Sequence, residues 1–389
     1  MPVPEPLPLF TPAEREREFP LVADTTYLNA ATQGPLPTRT CRALEQALRR
    51  GQYPGLSAAP EEQPPAEAVR ARLARLLNCG LDELAFTPNT TYGLNICARG
   101  IDWRPGDNVV LPAHEFPSVL RTWLQLRDSG VEVRLVPWDG DGPGVDALMA
   151  AVDARTRVVM CSAVAWDTGY RIDLEALGRR CAKAGCLLIV DGIQAVGATE
   201  LDLRALRLSA LSFHGYKWLL AGFGCGVLYV APEALDQIRP RFVGEQSFQD
   251  GFATDDLDAP WQPGARRFAA GGANTLGLTA LAASLDLIEQ LSLRAIAAHN
   301  RALGQLLVDG LRRLEPHVQL VSPADPARRA ANVVFTLGDA ARDEALVQQL
   351  AERGMVVALR RRGVRISPHC YNTAAEIERL LDALTVSAT

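Results

Sequence analysis

The chain has 389 residues and a formal net charge of -5, with 48% hydrophobic and 22% charged residues. This is an ordinary globular balance; it leaves no basic footprint for nucleic acid, and no apolar run approaches the length of a membrane span. The length suffices for two domains with sizeable cores.

The first ten residues, Met1 to Phe10, lack the basic and apolar regions of a secretory signal, and their prolines suggest an extended arm, assigned to residues 1–23. Asp24 to Pro35 reads as a short strand running into a small-residue loop before a helix near 38–50. Residues 51–65 are rich in Gly, Pro and Ala and read as a mobile surface loop. A helix near 66–77 precedes Pro88-Asn89-Thr90-Thr91, where a turn gives way to a helix N-terminus. Such a terminus offers free N–H groups and a favourable dipole to a phosphate, although on this stretch alone an ordinary cap explains it equally.

Strands at 109–111, 131–136 and 158–164 alternate with helices, as a mainly parallel sheet requires. His114-Glu115-Phe116 follows the first of these, and Trp166-Asp167-Thr168-Gly169 follows the third. Asp139-Gly140-Asp141-Gly142 lacks the later ligands and closing Glu of a calcium loop and reads as a turn. The eight cysteines contain no C-x-x-C pair and are expected to be reduced thiols of a cytoplasmic protein. The five histidines do not cluster with them, so no metal site is expected.

The most informative stretch is Leu187-Leu188-Ile189-Val190-Asp191-Gly192-Ile193-Gln194, a buried strand ending in an acid. Ligands of open α/β sheets bind at that edge. A second strand, Ser209 to Phe213, leads to His214-Gly215-Tyr216-Lys217-Trp218. An Asp on one strand end and a Lys just past another is what pyridoxal phosphate chemistry needs. The amine forms a Schiff base with the cofactor aldehyde, and the carboxylate keeps the pyridine nitrogen protonated so that the ring accepts electrons. From about residue 279 long Leu/Ala-rich helices and short strands indicate an α+β C-terminal domain.

These motifs resemble the class V aminotransferase superfamily of fold-type I pyridoxal phosphate enzymes, which includes cysteine desulfurases, kynureninases and isopenicillin N epimerase-like proteins. The resemblance runs from about Tyr27 to the C-terminus. It implies an α/β large domain at 24–275 with a mainly parallel seven-stranded sheet, a smaller domain at 276–389, and a homodimer. It further implies that Thr90 and Thr91 bind the cofactor phosphate, with His214 and Tyr216 on the same side. Phe116 stacks on the ring, Thr168 faces the cofactor with Trp166 nearby, and Gln194 bonds the 3-oxygen. Asn29 and Ala30 border the substrate pocket. Arg266 to Thr275 resembles a segment that reaches the neighbouring subunit's phosphate, with Gly272 where a Thr is usual. Arg365 begins the terminal signature ending Tyr371-Asn372-Thr373, and its guanidinium grips the substrate carboxylate; Arg360, Arg361 and Arg362 read as solvated residues of a turn.

Once displaced by substrate, Lys217 is a base positioned to move the Cα proton. That step serves transamination, epimerisation and β-elimination alike. Desulfurases of the family carry a nucleophilic Cys on a loop before the terminal Arg, and the short Ala358 to Val364 interval has none. The sequence therefore leads to an aminotransferase acting on a small amino acid. A lyase or epimerase on the same scaffold is the alternative. A non-catalytic cofactor-binding protein is a third reading, against which Lys217, Asp191 and the Thr90-Thr91 pair stand together.

Overall fold

The computed structural model describes residues 8–52, 66–138, 140, 142–253 and 258–388. The first seven residues, the Gly/Pro-rich loop from 53 to 65, and both Asp139 and Asp141 lie outside the described residues. The first part of the chain runs α1 (Pro12–Glu18), β1 (Thr26–Tyr27), α2 (Thr38–Gly51), α3 (Ala66–Leu77), β2 (Leu84–Thr87), α4 (Thr90–Gly100), β3 (Asn108–Pro112), α5 (Pro117–Leu124), β4 (Glu132–Val136), α6 (Val145–Ala150), β5 (Thr156–Ser162), α7 (Leu174–Ala184), β6 (Leu187–Asp191), α8 (Leu203–Leu206), β7 (Ala210–His214) and β8 (Gly226–Val230). Then follow α9 (Thr275–Leu291), α10 (Leu293–Arg312), β9 (Gln319–Leu320), β10 (Val333–Thr336), α11 (Ala340–Glu352), β11 (Met355–Val356), β12 (Ala358–Arg360), β13 (Gly363–Ile366) and α12 (Ala374–Ala388).

Seven strands form one sheet in the order β2-β8-β7-β6-β5-β3-β4. The five from β4 to β7 are parallel, whereas β8 is antiparallel to both neighbours. The connection from β7 to β8 is too short to hold a crossover helix, and only an antiparallel neighbour can be reached that way. Every residue of β3, β6, β7 and β8 is buried, because helices cover both faces of the sheet. The chain builds outward from β3 to β4 and then returns to place β5 on the other side of β3. The strand order thus reverses between β3 and β5, and the crevice beyond their carboxyl ends is where such sheets hold ligands.

A second sheet, β12-β13-β10-β9, is antiparallel throughout. Val364 and Ile366 alternate into its core with Leu303 and Leu307 of α10 and Ile377 and Leu380 of α12. Residues of α9 such as Leu281 and Leu285 instead pack into the core of the large sheet. Among the described residues no single helix is long and apolar enough to cross a membrane.

Most of the proline run expected to be extended lies outside the described residues, and from Pro12 the N-terminal segment is helical. Thr11 and Glu14 form a reciprocal cap that starts α1. Arg15 then anchors it, donating Nε–H to the Tyr371 carbonyl at 2.5 Å and pairing with the buried Glu376. Phe19 is fully buried and packs on Tyr371, 5.0 Å between ring centroids. Beyond it, β1 pairs in parallel with β11, so residues 26–27 join the C-terminal part of the fold.

Candidate active site

A cavity of about 250 Å³ opens at the carboxyl ends of β5, β6 and β7, next to the crevice where strand order reverses. Clefts of about 660 and 700 Å³ lie elsewhere, and neither holds the Asp or the Lys. The smaller cavity gathers Thr90, Thr91, Phe116, Asp191, His214 and Lys217, residues from four separate segments. Gln194, Tyr216 and Trp166 also line it.

Lys217 is buried, with Nζ 5.5 Å from the Tyr216 ring centroid and 6.0 Å from that of Phe116. Burial drives its pKa down, to about 7, against the opposing pull of the Asp191 carboxylate. Burial likewise raises the pKa of Asp191, against the Ile193 N–H and Lys217. One Asp191 oxygen accepts the Ile193 N–H at 2.8 Å, which leaves the other for a ligand. The Lys217 segment is pinned from behind by Gly34, whose N–H donates to the Tyr216 carbonyl at 2.9 Å. A Cβ on Gly34 would sit 2.2 Å from the Lys217 carbonyl oxygen, so only glycine permits this approach.

At the start of α4, Asn89 accepts the Tyr92 N–H with its side chain and the Gly93 N–H with its carbonyl. The Thr90 and Thr91 N–H groups precede the first helical bond and remain free for a ligand. The Thr90 hydroxyl is buried without a partner, an orphan that a phosphate would satisfy. His214 accepts the Gly224 N–H through Nε2 at 3.1 Å, so its neutral ring carries the proton on Nδ1. Burial first, and Lys217 second, push its pKa down to about 4. Gln194 donates to the Ala31 carbonyl at 3.0 Å and accepts the Trp218 indole N–H at 2.9 Å. That bond fixes the amide orientation and leaves one N–H to donate. An amine, a carboxylate, a helix N-terminus and a fixed amide donor are the groups pyridoxal phosphate would need.

Arg365 belongs to a second wall that stands behind Trp166 and is not part of the cavity lining. Its guanidinium is 1% exposed, and no carboxylate pairs with it among the described residues. Nη1 donates to the Trp166 carbonyl at 2.8 Å and Nη2 to the Thr32 hydroxyl at 2.7 Å, while Nε is buried without a partner. Arg360 donates to the same Thr32 oxygen at 2.6 Å, and Thr32 passes its own proton to Asn29 at 2.6 Å. Burial, and then the Arg360 charge, bring the Arg365 pKa down to about 9. Reading all three neighbouring arginines as solvated is thereby corrected. Only Arg361 is exposed; Arg360 joins Arg365, and Arg362 pairs with the buried Asp167 at 3.2 Å while covering the Trp138 ring.

Besides Arg365 and Asn29, three expected site residues stand apart from the cavity. Ala30 is fully buried, with its N–H on the Ser367 carbonyl. Thr168 is fully buried, and its hydroxyl accepts the Tyr170 N–H. Gly272 is exposed, with open space around it. Asn29 touches the second wall only through Thr32. Conversely, Ser162, Phe223, Thr32 and Arg360 escaped sequence reading. Ser162 ends a strand beside Asp191, a signal that the in-register pairing of neighbouring parallel strands could have supplied. All eight cysteines are free, and none lines the cavity. Among the described residues no group of His, Cys, Asp or Glu could hold a metal ion.

Residues 27–380 match the family model described as aminotransferase class-V. A probable cysteine desulfurase of Methanothermobacter thermautotrophicus is 30% identical, covering 95% of this chain and 96% of its own. Among solved structures, a mutant of C-DES with glycine covalently linked to its pyridoxal phosphate cofactor superposes with a TM-score of 0.87 at 26% identity, over 95% of this chain and 98% of that one. A complex described as that of the cystine C–S lyase C-DES with its reaction product cysteine persulfide gives a TM-score of 0.86, also at 26% identity, over 94% and 98% of the two chains.

Proposed function

Since the chain belongs to the class V aminotransferase family and is a pyridoxal phosphate-dependent enzyme, we propose that it is a lyase that cleaves the Cβ–S bond of a small sulfur-bearing amino acid. This reverses the order in which sequence reading ranked transamination and elimination. Relatives named for breaking carbon–sulfur bonds support the change. The observation that carries it is the cavity, which holds a buried amine and no thiol, with a pair of arginines standing behind Trp166 of its lining. Sulfur released there has no cysteine to receive it, so it leaves on the substrate fragment instead of on the protein.

The bound cofactor supplies an electron sink for the bond broken at Cα. The Thr90 hydroxyl and the N–H groups of Thr90 and Thr91 hold its phosphate, with His214 and Tyr216 alongside. Asp191 would hold the proton at the ring nitrogen, Phe116 would pack against the ring, and Gln194 would have one N–H left to donate to the cofactor. Lys217 carries the cofactor at rest, and its Nζ then takes the Cα proton as general base. Its lowered pKa keeps a substantial share of the amine neutral near pH 7. Arg365 fixes the substrate carboxylate with its planar fork, and Arg360 adds a second positive charge. In the free protein the Thr32 hydroxyl holds both guanidiniums in that place.

The test is a panel of amino acids incubated with the holoenzyme in deuterated water. With cystine, water is consumed and pyruvate, ammonia and cysteine persulfide form in equal amounts, while no persulfide appears on the protein. Accumulation of pyridoxamine phosphate with a 2-oxo acid would establish the aminotransferase reading instead. Deuterium at Cα without either product would indicate epimerisation.

A further inference from the structure

Glu115 is a second buried carboxyl, set behind the cavity lining and joined to it through Ser162, and neither the cofactor contacts nor the substrate contacts described above use it. It follows β3 and directly precedes Phe116. Its two oxygens accept both donors of Ser162, the backbone N–H at 2.7 Å and the hydroxyl at 2.5 Å. Ser162 is the last residue of β5 and pairs in register with Asp191, the last residue of β6. The Ala163 N–H then donates to the Asp191 carbonyl at 2.9 Å. Side chains at paired positions of neighbouring parallel strands share a face, so Ser162 stands between the two acids.

No lysine or arginine pairs with Glu115 among the described residues. The groups packed about it are His114 on its own loop, Cys161 and Ser162 on β5, Trp138 beyond β4, and Tyr170 beyond β5. Arg362, paired with Asp167, covers the ring of Trp138. Burial raises the Glu115 pKa to about 7; the two Ser162 bonds oppose this and Asp191 adds to it. A carboxyl left without a cation at this depth is costly as a structural element alone.

We propose that Glu115 is a positioning residue that acts through Ser162, holding the end of β5 against Asp191 and placing a second negative charge behind the carboxylate that serves the cofactor nitrogen. A negative charge there favours protonated forms of the cofactor ring, and the Ser162 link transmits it at fixed geometry. The same two bonds tie the Phe116 loop to β5. The inference rests on the assignment of Asp191 and Lys217 to the cofactor.

The test uses holoenzyme and records the visible absorbance and circular dichroism of the bound cofactor from pH 5 to 10, with borohydride fixation as a separate measurement. Glu115→Gln keeps the size of the side chain and removes its charge. It should fix as much cofactor as the natural protein, while the midpoint of the absorbance change falls by about one pH unit. Ser162→Ala, which removes the hydroxyl link and keeps the backbone bond, should shift the midpoint the same way by less. Unchanged midpoints in both variants would overturn the proposal and leave Glu115 as a packing residue. Should Glu115→Gln fail to fold, Ser162→Ala decides alone, and an unshifted midpoint there overturns it. Failure of the natural protein to fix cofactor at Lys217 would instead sink the assignment on which the inference rests.

Discussion

Along the wall built by β5, β6 and β7, several functional groups lean on partners close by in sequence, although Gln194 and the Lys217 segment also reach Ala31 and Gly34. Asp191 is held by Ile193, His214 by Gly224, and the α4 terminus by Asn89. The arginine wall is assembled the other way. Arg360 and Arg365 meet on Thr32, more than three hundred residues away in sequence, and Trp166 supplies a carbonyl from the large sheet. The first wall is rigid because strand ends fix it. The second depends on two parts of the fold staying together. On the function proposed above, cofactor chemistry thus sits mostly on local geometry, and substrate recognition on a long-range junction.

Substitutions should separate the two walls. The largest effect belongs to Lys217→Ala, which removes the base and should cost about 10²–10⁴-fold in elimination rate. It should also abolish borohydride-fixed cofactor, measured by mass spectrometry; a mutant that still fixes cofactor at this position would contradict the assignment. Asp191→Asn should lower kcat by about 2.7–4 kcal/mol in activation free energy, with cofactor still attached. Unchanged turnover on a substrate whose Cα–H cleavage limits the rate would show that Asp191 is structural. Arg365→Lys should leave the cofactor spectrum intact and cost about 1.5–3 kcal/mol in kcat/KM. That loss should vanish for an amine lacking the carboxylate, and an equal loss for both substrates would assign Arg365 to the fold. In a double-mutant cycle, Arg360→Ala and Arg365→Ala should be non-additive, since they share one hydroxyl and one anion.

The smallest effect is one of pH. Only the neutral amine of Lys217 attaches the cofactor, and its pKa is lowered from 10.5 to about 7. The rate at which apoprotein takes up cofactor should rise as pH increases through that value and level off above it. A rate still climbing towards pH 10 would mean that burial does not depress the amine.

The cofactor wall was largely legible in the sequence for the reason that makes it rigid. An apolar run ending in Asp191, and an Asn-Thr-Thr cap before a helix, are local patterns that carry their own chemistry. Alternation also placed Val364 and Ile366 in a core and Arg365 opposite them. What escaped depends on contacts that no local period encodes. Nothing in a run of three arginines says that Arg360 will meet Thr32 while Arg362 meets Asp167. No local pattern marks Glu115 in the His114-Glu115-Phe116 segment, yet it bonds Ser162 at the end of β5. Nothing local announces that α1 will be anchored by Tyr371 and Glu376, at the other end of the chain.

The junction of β1 with β11 also has a consequence for how the protein comes together. Thr26 and Tyr27 pair with Met355 and Val356, and the Ala30 N–H meets the Ser367 carbonyl. Contacts so distant in sequence close late, since chain entropy must be overcome before they contribute. Every strand of the large sheet lies between residues 84 and 230, so a growing chain can complete it while residues 26–32 still lack their partners. Refolding should accordingly pass through a stage that takes up cofactor but does not yet discriminate carboxylated substrates, and competence for the substrate should trail competence for the cofactor.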